Sequence, residues 1–374
     1  MPDKLWSDNL WPGRLWSERL MAGFTIFLVL TGVVMVYSAS SIMADKRFHD
    51  SFFFLKRHTI YALIGISAMI AVSKTDYGQI RKIAYPFLFF TIGLLVLLLI
   101  PGVGSEAGGA TRWLRAGPLS IQPSELVKLA LIFSFALSFS KKKDMRCFKK
   151  GFVPYIGILA LCIALMLLQP DFGTAMTLAG IVFIMLFVAG TRLSYLTASA
   201  GIMVAVASML IAGAEYRKKR ILSFLDPWSD PQDTGFQIIQ SFLAFGSGGM
   251  MGRGLGEGRQ KLFYLPEPHT DFVLPVIGEE MGFLGLFIVI LFFAAIVVLG
   301  IRAALKASDD FGCHLAMGIT SMIALQAVIN MGVVMGLLPT KGLPLPFISY
   351  GGTSLIVNMI GVGILISIIA RGEG

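Results

Sequence analysis

Ten apolar runs punctuate the chain, at residues 20–43, 59–73, 84–101, 122–139, 152–168, 172–190, 193–213, 272–301, 313–338 and 347–370. Most are as long as a helical bilayer crossing requires, roughly 17–25 residues. Charged residues make up 14% of the chain, against roughly 25% in soluble domains, so there is too little polar surface to coat a globule. In lipid every backbone N–H and C=O must find its partner within the protein, which makes such runs helices. The expectation is an all-α, polytopic transmembrane helix bundle of about ten spans. One membrane domain covers residues 1–374, with a tail at 1–19. The first run is too long for the apolar core of a cleaved signal peptide, roughly 7–15 residues, and is read as retained.

Orientation follows from the short connections. With both termini cytoplasmic, the inner segments hold 16 lysines and arginines, six of them between Lys141 and Lys150, and the short outer loops hold 7. That is the bias the positive-inside rule asks for. It also accounts for a net charge of +9 through anionic lipid rather than nucleic acid. Cys147, Cys162 and Cys313 fall in no outer loop, so no disulfide is expected, and no Cys/His spacing suggests zinc.

One connection stands apart: residues 214–271 form a long outer loop without a spanning segment. Loops of this length are usually functional or disordered. This one mixes aromatics, glycines and charges, and is expected to fold against the membrane surface. Gly252, Gly254, Gly256 and Gly258 lie in it. A dinucleotide fingerprint would need a strand before and a helix after, so the glycines are read as turn formers.

Polar motifs collect where the even-numbered spans begin. Gln122-Pro123-Ser124-Glu125 opens the fourth, Gln169-Pro170-Asp171 the sixth, His269-Thr270-Asp271 the eighth and Ser349-Tyr350-Gly351-Gly352 the tenth. With this topology all four helix N-termini face outward, and helix N-termini favour anions. Glu125 and Lys128 share a helix face inside an apolar span. They read either as an ion pair locking the bundle or as the lining of a polar cavity. Asp271 precedes a long apolar helix and reads as an N-cap or as a functional carboxylate. Glu279 and Glu280 lie about two turns further on, where a carboxylate needs a partner or a cavity. Arg217-Lys218-Lys219-Arg220 reads as an interfacial basic patch or as a cradle for an anionic headgroup or pyrophosphate.

At these motifs the sequence strongly resembles the SEDS family, over nearly the whole chain. The most specific pieces are Gln122 to Lys128, Leu265 to Phe272 and Leu338 to Gly352. Lys341 and the Met35-Val36-Tyr37-Ser38-Ala39-Ser40 stretch look more like its cell-division branch than its elongation branch. Pro268 stands where the family usually has alanine.

The resemblance implies polymerisation of lipid II into peptidoglycan strands at the outer face of a bacterial inner membrane. The family's essential aspartate maps onto Asp271. A class B penicillin-binding protein (FtsI-like transpeptidase) and other division proteins are the implied partners. Inverting glycosyl transfer needs a general base and help for a departing pyrophosphate. Asp271 is the candidate base, and Lys341, Arg217, Arg220 and Arg112 are candidate cations. Glu125, Lys128, His269 and Ser349 are further candidates for lining the substrate site, and a divalent cation (Mg or Mn) is a candidate cofactor. The competing functions are a lipid II flippase and a non-catalytic division scaffold.

Overall fold

The computed structural model describes residues 13–107, 110–116, 119–142, 144–213, 223–231, 235–261, 268–339 and 342–372. Among these, ten long helices follow the ten apolar runs: α1 (Arg14–Phe48), α2 (Phe53–Lys74), α3 (Ile80–Leu97), α4 (Pro123–Lys141), α5 (Val153–Leu168), α6 (Phe172–Val188), α7 (Leu193–Ala212), α9 (Val273–Leu305), α10 (Asp310–Val334) and α11 (Gly352–Arg371). Eight of the helices are long and apolar enough to cross a membrane, while α6 and α7 offer shorter apolar stretches. The protein is a multi-pass helical membrane protein. Helices α4, α10 and α11 are buried nearly all round and form its centre, whereas α2 and α3 turn many apolar side chains outward. A helix apolar on every face with half of it exposed needs a lipid neighbour.

The second helix starts at Phe53, six residues before the apolar run at 59–73. Lys56 and Arg57 do not interrupt it, because each finds a partner at the helix end. Lys56 Nζ lies 2.8 Å from Asp50 and the Arg57 guanidinium lies 4.4 Å over the Phe53 ring. Long cationic side chains reach out of an apolar zone in this way.

Three segments depart from the picture of spans and simple loops. Between α3 and α4 the chain forms an antiparallel sheet, β1 (Ser105–Ala107), β2 (Ala110–Ala116) and β3 (Leu119–Ile121), with Ser105 opposite Trp113 and Leu114 opposite Ile121. The long loop at 214–271 contains a helix, α8 (Phe236–Gly248). Its Ile238, Ile239 and Ala244 are buried, and its Ser241 hydroxyl donates to the Val334 carbonyl at the end of α10 at 2.6 Å.

The third departure is the stretch before α11. The apolar run begins at Phe347, but the helix begins at Gly352. Pro344 and Pro346 cannot continue a helix, and Phe347 takes a left-handed φ of 65°. Residues 343–348 nevertheless dive into the bundle, with Leu343, Leu345, Phe347 and Ile348 fully buried. A Cβ on Gly32, midway along α1, would sit 2.7 Å from the Ile348 backbone. Irregular backbone is tolerated at such depth only when protein satisfies it. Asn330 of α10 donates to the Leu343 carbonyl at 2.7 Å and Gln326 donates to the Pro344 carbonyl at 3.2 Å. The Ser349 hydroxyl accepts from the Leu345 N–H at 2.8 Å.

Candidate active site

The sheet, the re-entrant segment and the turn entering α9 all gather at one end of the bundle. Asp271 stands in that turn, partly exposed. It is not the N-cap: that position falls on Phe272, which makes no side-chain capping bond. The Asp271 backbone is held from α10, since Asn330 Nδ2 donates to its carbonyl at 2.9 Å while also bonding Leu343. One amide therefore fixes the aspartate turn and the re-entrant segment relative to each other. The Asp271 carboxylate faces Gly342, where a Cβ would lie 2.9 Å from Oδ2. The absence of a side chain at Gly342 leaves that oxygen room.

His269 is buried in an aromatic wall made from three parts of the chain. Its ring centroid lies 4.3 Å from Phe54 and 5.6 Å from Tyr350, and its carbonyl accepts from the Tyr350 N–H at 2.9 Å. Burial, followed by the proximity of His58, pushes its pKa down to about 4, so the ring is neutral at physiological pH. Burial pushes the Tyr350 phenol up, opposed by Arg57 beside it. His58 is fully buried behind these rings, and neither of its ring nitrogens has a hydrogen-bond partner.

Glu125 and Lys128 make a 2.7 Å ion pair with 1% and 0% exposure. Lys128 also reaches Gln326 at 3.3 Å, and Gln326 bonds Ser354 at 3.0 Å. The pair thus meets α10 at Gln326, and Gln326 passes the contact on to α11 and to the underside of the re-entrant segment. Ser349 is buried and occupied by its turn.

Arg112, on β2, donates to the Gln169 carbonyl at 3.2 Å and to the Pro170 carbonyl. It ties the sheet to the end of α5. Beside it Asp171 caps α6 through the Thr174 N–H at 3.3 Å and accepts from Ser124 at 3.0 Å and from Gln122 at 3.3 Å. The structure therefore joins the openings of α4 and α6 directly. It adds Gln326, Asn330, Asp171, His58 and Tyr350 to the residues that the sequence singles out. Of these, only Asp171 and Tyr350 lie in motifs that the sequence marks; the amides sit in an apolar run with nothing to distinguish them. Lys341, Arg217 and Arg220 lie outside the described residues. Among the described residues no group of three or more His, Cys, Asp or Glu stands together to hold a metal ion.

Fold and site together define a polytopic membrane protein with a carboxylate turn, a re-entrant segment and a small sheet at one end of a helical bundle. The family described as cell cycle protein, that of FtsW, RodA and SpoVE, matches residues 18–373, and the chain belongs to it. Over 344 residues it is 52% identical to a probable peptidoglycan glycosyltransferase FtsW of Geobacter metallireducens, covering 92% of each chain. It is 45% identical to stage V sporulation protein E of Bacillus subtilis, covering 93% of this chain and 96% of that one. Among solved structures it resembles a chain of a peptidoglycan synthase complex that coordinates polymerization and crosslinking, at TM-score 0.76 and 28% identity, with 92% and 96% covered. It also resembles the rod shape determining protein RodA of Thermus thermophilus, at TM-score 0.70 and 26% identity, with 95% and 97% covered.

Proposed function

We propose that this chain is a peptidoglycan glycosyltransferase that polymerises lipid II during septal wall synthesis, with Asp271 as general base. The observation that carries the reading is the placement of Asp271. It is a partly exposed carboxylate on a turn whose backbone is fixed by Asn330, beside a glycine that leaves room at its Oδ2. Positioning of this kind is what a base needs, since a misplacement of about 1 Å costs on the order of 100-fold in rate.

In the proposed reaction a sugar hydroxyl of one lipid II attacks the anomeric carbon of a second lipid-linked sugar. Asp271 takes the hydroxyl proton, the new glycosidic bond forms with inversion, and polyprenyl pyrophosphate leaves with the electrons of the broken bond. The departing charge calls for cations. Lys341, Arg217 and Arg220 are the candidates. Arg112 is a fourth candidate, its guanidinium placed by its bonds to the Gln169 and Pro170 carbonyls. No step is routed through a divalent cation. The outward orientation of this end rests on the excess of Lys and Arg in the opposite connections. A class B penicillin-binding protein of the FtsI type is the proposed crosslinking partner.

The test is reconstitution. The purified chain with such a partner is expected to polymerise lipid II, and Asp271→Asn is expected to abolish polymerisation while the melting temperature in detergent stays put. Full glycan synthesis by the Asn variant would refute the base. Translocation of labelled lipid II by a chain that makes no glycan would point to a flippase instead.

A further inference from the structure

Helix α9 is not continuous. At Gly282 the backbone turns to φ 66°, ψ −165°, which cuts off a short inner piece, 273–281, directly after Asp271. Breaking a helix strands backbone groups that lipid cannot satisfy. Here the segment 249–261 satisfies them. The carbonyls of Glu279 and Glu280, which an unbroken helix would give to Phe283 and Leu284, accept from the N–H groups of Arg253 and Gly254, both at 3.0 Å. The N–H groups of Phe283 and Leu284 donate to the carbonyls of Gly249 and Met250 at 2.9 and 3.2 Å. The fit requires glycine. A Cβ on Gly252, itself at φ +79°, would sit 2.2 Å from the Glu280 carbonyl oxygen, and one on Gly282 would sit 2.3 Å from the Gly252 nitrogen.

The two carboxylates that open this break then hold the rest of the segment. Glu279 accepts from the N–H groups of Arg259 and Gln260 at 2.8 and 3.0 Å. Glu280 accepts from the Gly256 N–H at 3.0 Å, from Lys261 at 2.7 Å and from Ser38 of α1 at 2.7 Å. Glu279 and Glu280 are themselves fully buried.

We infer that Glu279 and Glu280, with Lys261, are positioning residues for the reaction: they clamp the glycine segment to the half-helix that begins two residues after Asp271, and so fix where that aspartate stands. This rests on the reading of Asp271 as the base. The clamp sits on the half-helix that follows the Asp271 turn, on the near side of the Gly282 break. Loosening it frees that piece from α1 and from the loop without touching a group that contacts substrate.

The test uses the full chain with its penicillin-binding partner and two clamp variants. Glu279→Gln keeps the shape but loses one acceptor. The double variant Glu280→Gln with Lys261→Met removes both buried charges together, so neither is stranded. Each variant is expected to lower kcat by about tenfold or more with KM within about twofold, because the loss falls on a group aligned only for the transition state. Hydrogen exchange at Gly256, Arg259 and Gln260 is expected to rise in the matching variant, with the melting temperature close to wild type. The inference is overturned by unchanged exchange at those amides, by wild-type kcat in both variants, or by a fall in kcat no larger than the loss of folded protein. Asp271→Asn run alongside keeps the two ideas apart: an active Asn variant sinks the base, whereas an inactive one with unimpaired clamp variants sinks only the clamp.

Discussion

The Glu125–Lys128 pair and the Glu280–Lys261 pair share a 2.7 Å contact and almost complete burial, yet they join different kinds of chain. The first lies within one turn of α4 and reaches sideways to the Gln326 amide of α10, which in turn bonds Ser354 of α11. The second joins a half-helix to a glycine-rich loop across 19 residues. The first lysine's other polar contact is a side-chain amide, Gln326. The second carboxylate also holds a backbone N–H and a serine from α1. An ion pair built into one helix stiffens what is already rigid. An ion pair between a helix and a loop decides where the loop goes, and here the loop leads to Asp271.

The largest expected effect breaks the first pair. Lys128→Met leaves Glu125 charged at the centre of the bundle, and a stranded buried charge costs about 3–5 kcal/mol. Chemical denaturation in detergent should show a loss of that size, and adding Glu125→Gln should recover most of it. If Lys128→Met alone is as stable as wild type, the pair does not lock the bundle and the cavity-lining alternative for Glu125 and Lys128 regains its place.

Acid separates the two regions next. His269 is held neutral by burial and by His58, with its pKa down from 6.5 to about 4. The unfolded chain takes up this proton near 6.5 and the folded chain only near 4. Between those values the unfolded state binds more protons, so stability is whole above 6.5 and is lost as the pH falls toward 4. The loss amounts to roughly 3 kcal/mol at most, because each tenfold weakening of proton affinity is worth about 1.4 kcal/mol. Melting curves between these limits should fall for wild type and flatten for His269→Phe. Hydrogen exchange should show the Asp271 turn loosening before the centre of α4.

The two regions were also unequally legible in the sequence. Glu125 and Lys128 announce themselves, because a spacing of three on a helix predicts a shared face and two charges in an apolar run predict a partner. Glu279 and Glu280 announce only a need. Their partners are backbone N–H groups and a lysine in a loop, and no local rule relates residue 261 to residue 280. The ten runs were readable because apolar length is a local quantity. The break at Gly282 was not, since a glycine inside an apolar helix usually marks close packing rather than a left-handed turn. The re-entrant segment was hidden for the opposite reason. Leu343 to Ile348 are as apolar as the span they precede, and only the prolines hint that the helix starts later. Asp271 itself was visible as a residue that two readings fit. The structure sets the N-cap position at Phe272, and the base role stays the proposal that Asp271→Asn tests.

The smallest effect sharpens the comparison most. Lys261→Met strands no charge as fully as Lys128→Met does, because Glu280 keeps Ser38 and the Gly256 N–H. Its cost is that of one charge-assisted hydrogen bond, about 1.5–3 kcal/mol, below the figure for Lys128. The ranking should invert when turnover is measured on folded protein. Lys128→Met disturbs the support beneath the site, through Gln326 and Pro344, and its folded fraction should retain most of its kcat. Lys261→Met disturbs the loop that meets the half-helix after Asp271, and its folded fraction should lose most of its kcat. Equal activity loss in the two variants, after correction for folded fraction, would mean that the pairs do the same job and that burial, not connection, is what matters.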